Sequence, residues 1–171
     1  PNALEQLAAA NVTDKDSGAA VLEAIRTIYA GQNLDFVMKG TRSSNPILKR
    51  SAVATLGKLV KKKSGKRSRK KILAALKPLS RSSDATIRAA AARSFEVMAG
   101  PDVREDVMRL AKDDAVEVQR AVAHALRAFG SPETTTLLLK FIKSSDPDVF
   151  ANAASSLGVL KGKEGLNPII N

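Results

Sequence analysis

The 171-residue chain contains no cysteine and no tryptophan, and it has a single histidine and a single tyrosine. Without cysteine the chain can form no disulfide or thiolate metal site and offers no thiol nucleophile. A catalytic triad or a histidine metal site would have to depend on His124 alone. We therefore expect no catalytic residue, no metal and no cofactor.

Long apolar runs are also missing. No stretch approaches the roughly eighteen apolar residues that a membrane-spanning helix needs, and the N-terminus lacks the residue order of a signal peptide. These absences argue against a membrane protein and leave the cytoplasm as the default location. The sequence begins at Pro1 and ends on an apolar periodic stretch, Leu166, Ile169 and Ile170, so we expect it to be part of a longer protein.

One pattern recurs along the chain at intervals of about 31 residues. Each copy ends on a large apolar residue, and the intervals between these residues are 28, 39, 31 and 31. The five positions are Ile28, Leu56, Phe95, Leu126 and Leu157. A fixed period in this range indicates stacked units that bury a common core.

Each copy predicts two amphipathic helices, A and then B. In helix B, apolar residues recur at helical spacing, as from Val118 to Phe129 and from Ile87 to Met98. Asn45-Pro46 and Asp146-Pro147 each combine a capping side chain with a proline at the first helical position, which predicts the start of a B helix.

The segment from Asp146 to Gly158, Asp-Pro-x-Val-x-x-x-Ala-x-x-x-Leu-Gly, resembles the short HEAT-like repeat of bacterial and archaeal proteins. The resemblance covers nearly the entire chain. It implies an all-α fold, a right-handed solenoid of about five HEAT-like hairpins plus the start of a sixth. We expect one domain, 1–171, with hairpins at about 1–31, 32–60, 69–99, 101–130 and 131–161. The C-terminal end has no polar cap, so we expect it to continue into further repeats or to self-associate.

The family often carries a polar ladder between repeats, in which an Asp near the turn pairs with an Arg on helix B. In this sequence only Asp84 and Arg88 keep both residue types, so we expect no continuous ladder. Phe150 occupies a position where a polar residue is usual. Two interpretations stay open: it packs against the following repeat, or it contacts a partner.

The net charge of +11 is concentrated in one segment. Residues 39–81 contain 15 Lys and Arg and no Asp or Glu, whereas the remainder contains 13 basic and 17 acidic residues. The densest part coincides with the 39-residue interval and predicts a basic loop, 61–68, between two repeats. Its candidate partner-binding residues are Lys61, Lys62, Lys63, Lys66, Arg67, Arg69, Lys70 and Lys71.

The basic segment permits several interpretations. It is either a solvated loop that keeps the protein soluble, or a contact for an acidic protein partner, for nucleic-acid phosphates or, least favoured, for a membrane surface. The scarcity of aromatic residues argues against sequence-specific nucleic-acid recognition. A second candidate site is a basic strip of Arg93, Arg120, His124 and Arg127 on the B-helix face, which the resemblance places on the concave side of the solenoid.

These observations predict a non-enzymatic scaffold or adaptor. It would present the concave B-helix face and the basic loop to a protein partner with an acidic surface. The alternative is a nucleic-acid-binding module that uses the same loop without reading sequence. No group of titratable residues converges in the sequence as an active site would require.

Overall fold

The computed structural model describes residues 3–9, 15–63 and 66–164, and this part of the chain is all-α. Odd-numbered helices are the A helices and even-numbered helices the B helices of successive hairpins, which confirms the predicted fold class. The start of a sixth hairpin was predicted beyond residue 164, outside the described residues. The helices are α1 Ala3–Ala9, α2 Lys15–Gly31, α3 Leu34–Gly40, α4 Pro46–Lys63, α5 Lys66–Leu79, α6 Ala85–Met98, α7 Pro101–Leu110, α8 Val116–Ala125, α9 Pro132–Phe141 and α10 Pro147–Glu164.

The B helices begin where the capping residues predict. The Asn45 side chain accepts a hydrogen bond from the Ile47 amide at 2.9 Å, and Asp146 accepts one from the Val149 amide at 2.9 Å. Asp84 caps α6 in the same way. Each cap satisfies an amide that has no partner within its own helix, which fixes the start of the helix.

The core lies between the helices of the hairpins and continues from one hairpin to the next. Each B helix contacts the next B helix along the chain, from α2 through α4, α6 and α8 to α10. The repeat residues Leu56, Phe95 and Leu126 of the three central hairpins are fully buried. Ile28 and Leu157, in the first and last described hairpins, are only half-buried, and within the described residues each has a neighbouring hairpin on one side only.

Small residues let α4 and α6 approach closely. The Ser94 hydroxyl donates to the Val53 carbonyl at 2.6 Å and accepts from the Gly57 amide at 3.3 Å. A β-carbon on Gly57 would lie 2.6 Å from the Ser94 α-carbon. The contact between α8 and α10 is similar, because the Ser156 hydroxyl donates to the Ala123 carbonyl at 2.7 Å.

The basic segment differs from the loop predicted over 61–68. Helix α4 extends through Lys63 and α5 begins at Lys66, so six of these eight positions are helical. Lys and Arg have high helix propensity. The extra residues of the 39-residue interval therefore lengthen two helices. Ser64, Gly65 and the side chains of Lys61, Lys62 and Lys63 lie outside the described residues.

Ion pairs connect successive hairpins, although no continuous ladder was expected from the sequence. Arg88 binds Asp113 of the next hairpin through two hydrogen bonds of 2.7 and 2.9 Å, and it does not pair with Asp84. Arg120 binds Asp146 of the following hairpin in the same two-pronged manner, at 3.0 and 2.5 Å. The expectation of no continuous ladder came from comparing the Asp and Arg positions within each repeat. The observed pairs join an Arg of one repeat to an Asp of the next.

Candidate functional site

Side chains from five B helices, α2, α4, α6, α8 and α10, line a groove of about 560 Å³, called here the B-helix groove. Packing of the B helices side by side places one face of each helix along this hollow. Most of the lining residues are either charged or have small side chains. The charged lining residues are Arg26, Lys58, Arg93, Glu96, Arg120, His124 and Asp148.

Most of the predicted basic strip is neutralised by neighbouring carboxylates. Arg93, Arg120 and His124 line the groove, whereas Arg127 is not among the lining residues. Arg120 pairs with Asp146. His124 and Arg127 share one carboxylate: Glu96 lies 2.9 Å from the His124 Nδ1 atom and 2.8 Å from an Arg127 nitrogen. The structure thus brings the strip together and leaves Arg93 as its only member without an ion pair among the described residues.

Arg93 belongs instead to a group that sequence reasoning missed, Arg26, Arg50 and Arg93, called here the arginine cluster. The three residues lie on α2, α4 and α6. Burial, followed by the charges of Arg26 and Arg50, lowers the pKa of Arg93, although the nearby Glu96 opposes this shift. Burial and the charge of Arg26 likewise lower the pKa of Arg50.

Few carboxylates compensate the arginine cluster. Within the described residues, neither Arg50 nor Arg93 has a carboxylate oxygen within 4.0 Å, and Arg26 reaches only Glu23, at 3.5 Å. The Nε atoms of Arg26 and Arg50 are buried and have no hydrogen-bond partner. The sequence held a usable signal, because Arg50, Ala54 and Lys58 follow one another at four-residue spacing on one face of α4.

The basic segment supplies a smaller exposed site than predicted. Lys66, Arg67 and Lys70 are exposed and form no ion pair within the described residues, and we call them the basic junction. Arg69 is engaged internally, since it donates to Asp102 at 2.6 and 2.8 Å and to two backbone carbonyls at the end of α6. Lys71 pairs with Asp35. The hydrogen bonds from Arg69 lower the pKa of Asp102.

Phe150 remains apart from both sites. Its side chain is 47% exposed, and it belongs neither to the hydrophobic core of the described residues nor to the lining of the groove. The groove residues beside it on α10 are Asp148, Ala151 and Asn152. Phe150 therefore stays a candidate contact residue on the outer part of α10.

The family model of HEAT repeats matches residues 72–158, which is half of the chain. The chain belongs to the HEAT-repeat family. None of the curated proteins matches its sequence. The fold of this family is typically a scaffold for protein interaction and is generally non-enzymatic.

Solved structures share the fold of this HEAT-repeat chain. The complex of CpcE and CpcF of phycocyanin lyase from Nostoc sp. PCC7120 matches with a TM-score of 0.63 and 18% identity, over 95% of this chain and 66% of that chain. An engineered protein matches with a TM-score of 0.55 and 21% identity, over 94% and 80% of the two chains. A designed armadillo repeat protein in complex with the peptide (KR)4 matches with a TM-score of 0.54 and 15% identity, over 92% and 80%.

Neither a membrane-spanning helix nor a group of metal ligands is found among the described residues of the HEAT-repeat chain. Within residues 3–9, 15–63 and 66–164, no helix is both long and apolar enough to cross a membrane. In the same ranges no three histidine, cysteine or acidic side chains are grouped as metal ligands.

Proposed function

We propose that this HEAT-repeat chain is a non-enzymatic scaffold that binds an acidic segment of a partner protein in the B-helix groove. The observation that carries the proposal is the uneven compensation of charge along the groove. On the side of α8 and α10 the basic groups are paired with carboxylates. On the side of α2, α4 and α6, the lining residues Lys58 and Arg93 have no ion pair among the described residues, and Arg26 has one long contact. Arg50, one turn before the lining residue Ala54, has no ion pair there either.

The dimensions of this half of the groove suit an extended segment. Packed helices lie about 8–10 Å apart, so three adjacent B helices span about 20 Å. An extended chain covers that distance with about six residues. A glutamate at every third position would therefore meet the basic side chains of successive B helices.

Related folds support binding of this kind. The designed armadillo repeat protein is in complex with a basic peptide, (KR)4, and CpcE is in complex with a second protein, CpcF. The half of the groove described above is positively charged, as the (KR)4 peptide is, so it would repel a basic peptide and favour a peptide of acidic residues.

The basic junction is proposed as a second, weaker contact for the same partner. Lys66, Arg67 and Lys70 are exposed, so pairs formed with them are screened by salt and contribute little each. Nucleic acid is the competing ligand. The groove lining contains no Phe, Tyr or Trp on which a base could stack, and this disfavours single strands.

The proposal is tested with a fluorescein-labelled peptide of repeated Gly-Ser-Glu, measured by fluorescence anisotropy. Two triple variants each remove three positive charges: Arg26→Gln/Lys58→Gln/Arg93→Gln in the groove and Lys66→Gln/Arg67→Gln/Lys70→Gln at the basic junction. We expect the groove variant to lose about tenfold or more in affinity, and the junction variant about two- to threefold.

Three results would contradict the proposal. One is the reverse order of the two variants, which would assign binding to the basic junction. Another is the absence of peptide binding at low salt. The third is tighter binding of duplex or single-stranded DNA than of the peptide, with an affinity that falls steeply as salt is added.

A further inference from the structure

We infer that the B-helix groove accepts a phosphorylated side chain of its partner, and that the phosphate monoester binds among Arg26, Arg50 and Arg93. The inference rests on the proposed function, because it identifies the group that the most basic part of the groove recognises. Phosphorylation of the partner would then control its binding to the scaffold.

The three arginines of the cluster lie on adjacent B helices. Arg26 and Arg93 line the groove from α2 and α6. Arg50 lies on α4, between these two helices, one turn before Ala54 and two turns before Lys58, which both line the groove. Residues at four-residue spacing share a face of a helix. The arginine cluster therefore occupies neighbouring faces of three helices in contact.

The positive charge of the arginine cluster is only partly compensated within the described residues. Two nearby carboxylates offset only part of the charge of the cluster. Asp84 acts on Arg50 and Glu96 acts on Arg93, but neither forms an ion pair with these arginines, since Asp84 caps α6 and Glu96 binds His124 and Arg127. Glu23 is exposed and reaches Arg26 only at 3.5 Å. A phosphate monoester carries a charge of about −1.5 to −2 at neutral pH. It neutralises three guanidinium groups better than a single carboxylate or a phosphodiester, each of which carries one negative charge.

Several guanidinium donors of the arginine cluster have no acceptor among the described residues. The Arg50 and Arg93 side chains make no hydrogen bond within the described residues, and the buried Nε atoms of Arg26 and Arg50 lack acceptors. A guanidinium presents five donors, whereas a phosphate presents three strong acceptor oxygens that can each bind more than one donor. A bound phosphate would thus supply acceptors for donors that the folded chain leaves unsatisfied.

The titration of the arginines agrees with this geometry. The pKa of Arg50 and that of Arg93 are both lowered by burial and by the charges of neighbouring arginines. The charges of the neighbouring arginines repel one another, and an anion placed among them would offset part of this repulsion.

The experiment compares three labelled acidic peptides that differ only at a central residue, which is serine, phosphoserine or aspartate. We expect the phosphoserine peptide to bind about tenfold more tightly than the serine peptide, and also more tightly than the aspartate peptide. Arg50→Gln and Arg93→Gln should each abolish most of this preference. Arg81→Gln is the matched control, since it removes one exposed arginine outside the groove and should keep the preference.

The outcomes separate this inference from the proposed function. Equal affinity for the phosphoserine and aspartate peptides would overturn the phosphate site and leave the acidic-segment scaffold standing. A preference that survives in both Arg50→Gln and Arg93→Gln would show that phosphate binds elsewhere and would also overturn it. If no peptide binds, both proposals fail. If a Gln variant loses its helical circular dichroism signal, the corresponding Lys variant is used instead. Arg50→Lys and Arg93→Lys should each weaken the preference for the phosphoserine peptide, because lysine lacks the bidentate geometry of arginine.

A direct readout comes from the arginine side-chain signals of the ¹⁵N-labelled chain, with phenyl phosphate as the probe. The Nε–H signals of Arg26 and Arg50 should shift on addition of phenyl phosphate and much less on addition of acetate at equal ionic strength. Shifts confined to arginines outside the cluster would contradict the inference.

Discussion

At the scale of single residues, two glycines within helices have opposite surroundings. Gly57 on α4 faces the backbone of α6, where an added β-carbon would lie 2.6 Å from the Ser94 α-carbon and carbonyl oxygen. Gly158 on α10 has no atom within 4 Å of such a β-carbon. The first glycine is required by packing, whereas the second only lowers helix propensity.

We predict that Gly57→Ala lowers the free energy of unfolding by about 1–3 kcal/mol, because α4 and α6 must move apart. Gly158→Ala is the control and should raise the free energy of unfolding by about 0.5–1 kcal/mol through helix propensity. Urea denaturation monitored by circular dichroism measures both. The same sign of change in the two variants would show that the close approach of α4 and α6 does not limit stability.

Arg69 is another residue whose surroundings decide its role. It ties the first turns of α5 to the end of α6 and to Asp102 at the start of α7. Cations are favourable at a helix C-terminus, so this contact with α6 offsets the unfavourable position of Arg69 near the start of its own helix. Gly100, at a φ of +145°, leaves room for the contact, since an added β-carbon would lie 3.0 Å from an Arg69 nitrogen.

We predict that Arg69→Gln lowers the free energy of unfolding by about 1–2 kcal/mol, because it removes charge-assisted hydrogen bonds that are partly screened by water. Arg67→Gln, two residues earlier and exposed, removes the same charge and should change stability by less than about 0.5 kcal/mol. Thermal and urea unfolding of the two variants give the comparison. Equal losses would mean that the net charge, and not the contact with α6, determines the effect.

At the scale of helices and hairpins, ion pairs between repeats add to the buried core. Asp113 and Asp146 lie in the A-to-B turns, and each binds an arginine of the preceding B helix. Hydrogen bonds from Arg88 lower the pKa of Asp113. Those from Arg120 are the main cause of the lowered pKa of Asp146, which falls from 3.8 to about 2. Each hairpin is thereby connected to the next at its turn.

These shifts predict a loss of stability in acid. A carboxylate whose pKa is lowered by folding stabilises the fold above its unfolded pKa, and this contribution disappears as the pH falls through the folded value. For Asp146 the loss should occur between pH 3.8 and about 2. The variant Asp146→Asn keeps a capping side chain but removes the charge, so its melting temperature should change less between pH 6 and pH 2.

Asp114→Asn serves as the control for the acid prediction. Asp114 is exposed, lies beside Asp113 and forms no ion pair within the described residues. Its replacement should leave the acid transition close to that of the unmodified chain. A transition that moves as far with Asp114→Asn as with Asp146→Asn would contradict the assignment to the pairs between repeats.

At the scale of the whole molecule, the positive charge has two separate locations. One is the basic junction, on the exposed first turns of α5, and the other is the arginine cluster, of which Arg26 and Arg93 line the B-helix groove. With a net charge of +11, the chain as a whole also repels itself at low salt. The groove concentrates part of this repulsion where the protein surface is hollow.

We predict that Arg93→Gln raises the melting temperature of the unliganded chain at low salt, because the variant removes a cation that folding brings close to Arg26 and Arg50. The difference from the unmodified chain should shrink as NaCl screens the repulsion. Arg81→Gln is the control and should have a smaller effect. A lower melting temperature for Arg93→Gln at every salt concentration would indicate that its packing outweighs the repulsion.

The sequence alone was sufficient for the fold class, the approximate period and the starts of α4, α6 and α10. These depend on local properties: the spacing of apolar residues, a capping side chain, and proline at the first helical position. The longer interval of 39 residues was also visible in the sequence, but the helical structure of its additional residues was not predicted. Residues 61–68 were predicted to form a loop, whereas α4 extends through Lys63 and α5 begins at Lys66, as the helix propensity of Lys and Arg favours.

Only the tertiary structure decided which charges are available. Arg120 and Arg127 looked as free in the sequence as Arg93, yet their carboxylates come from another helix or turn, 26 and 31 residues away. Arg26, Arg50 and Arg93 are distant in sequence and become neighbours because three B helices pack side by side. Local patterns determine helices, but the compensation of a charge depends on residues that packing brings close. The sequence therefore determined the solenoid, and the packing of its B helices determined where the groove keeps its positive charge.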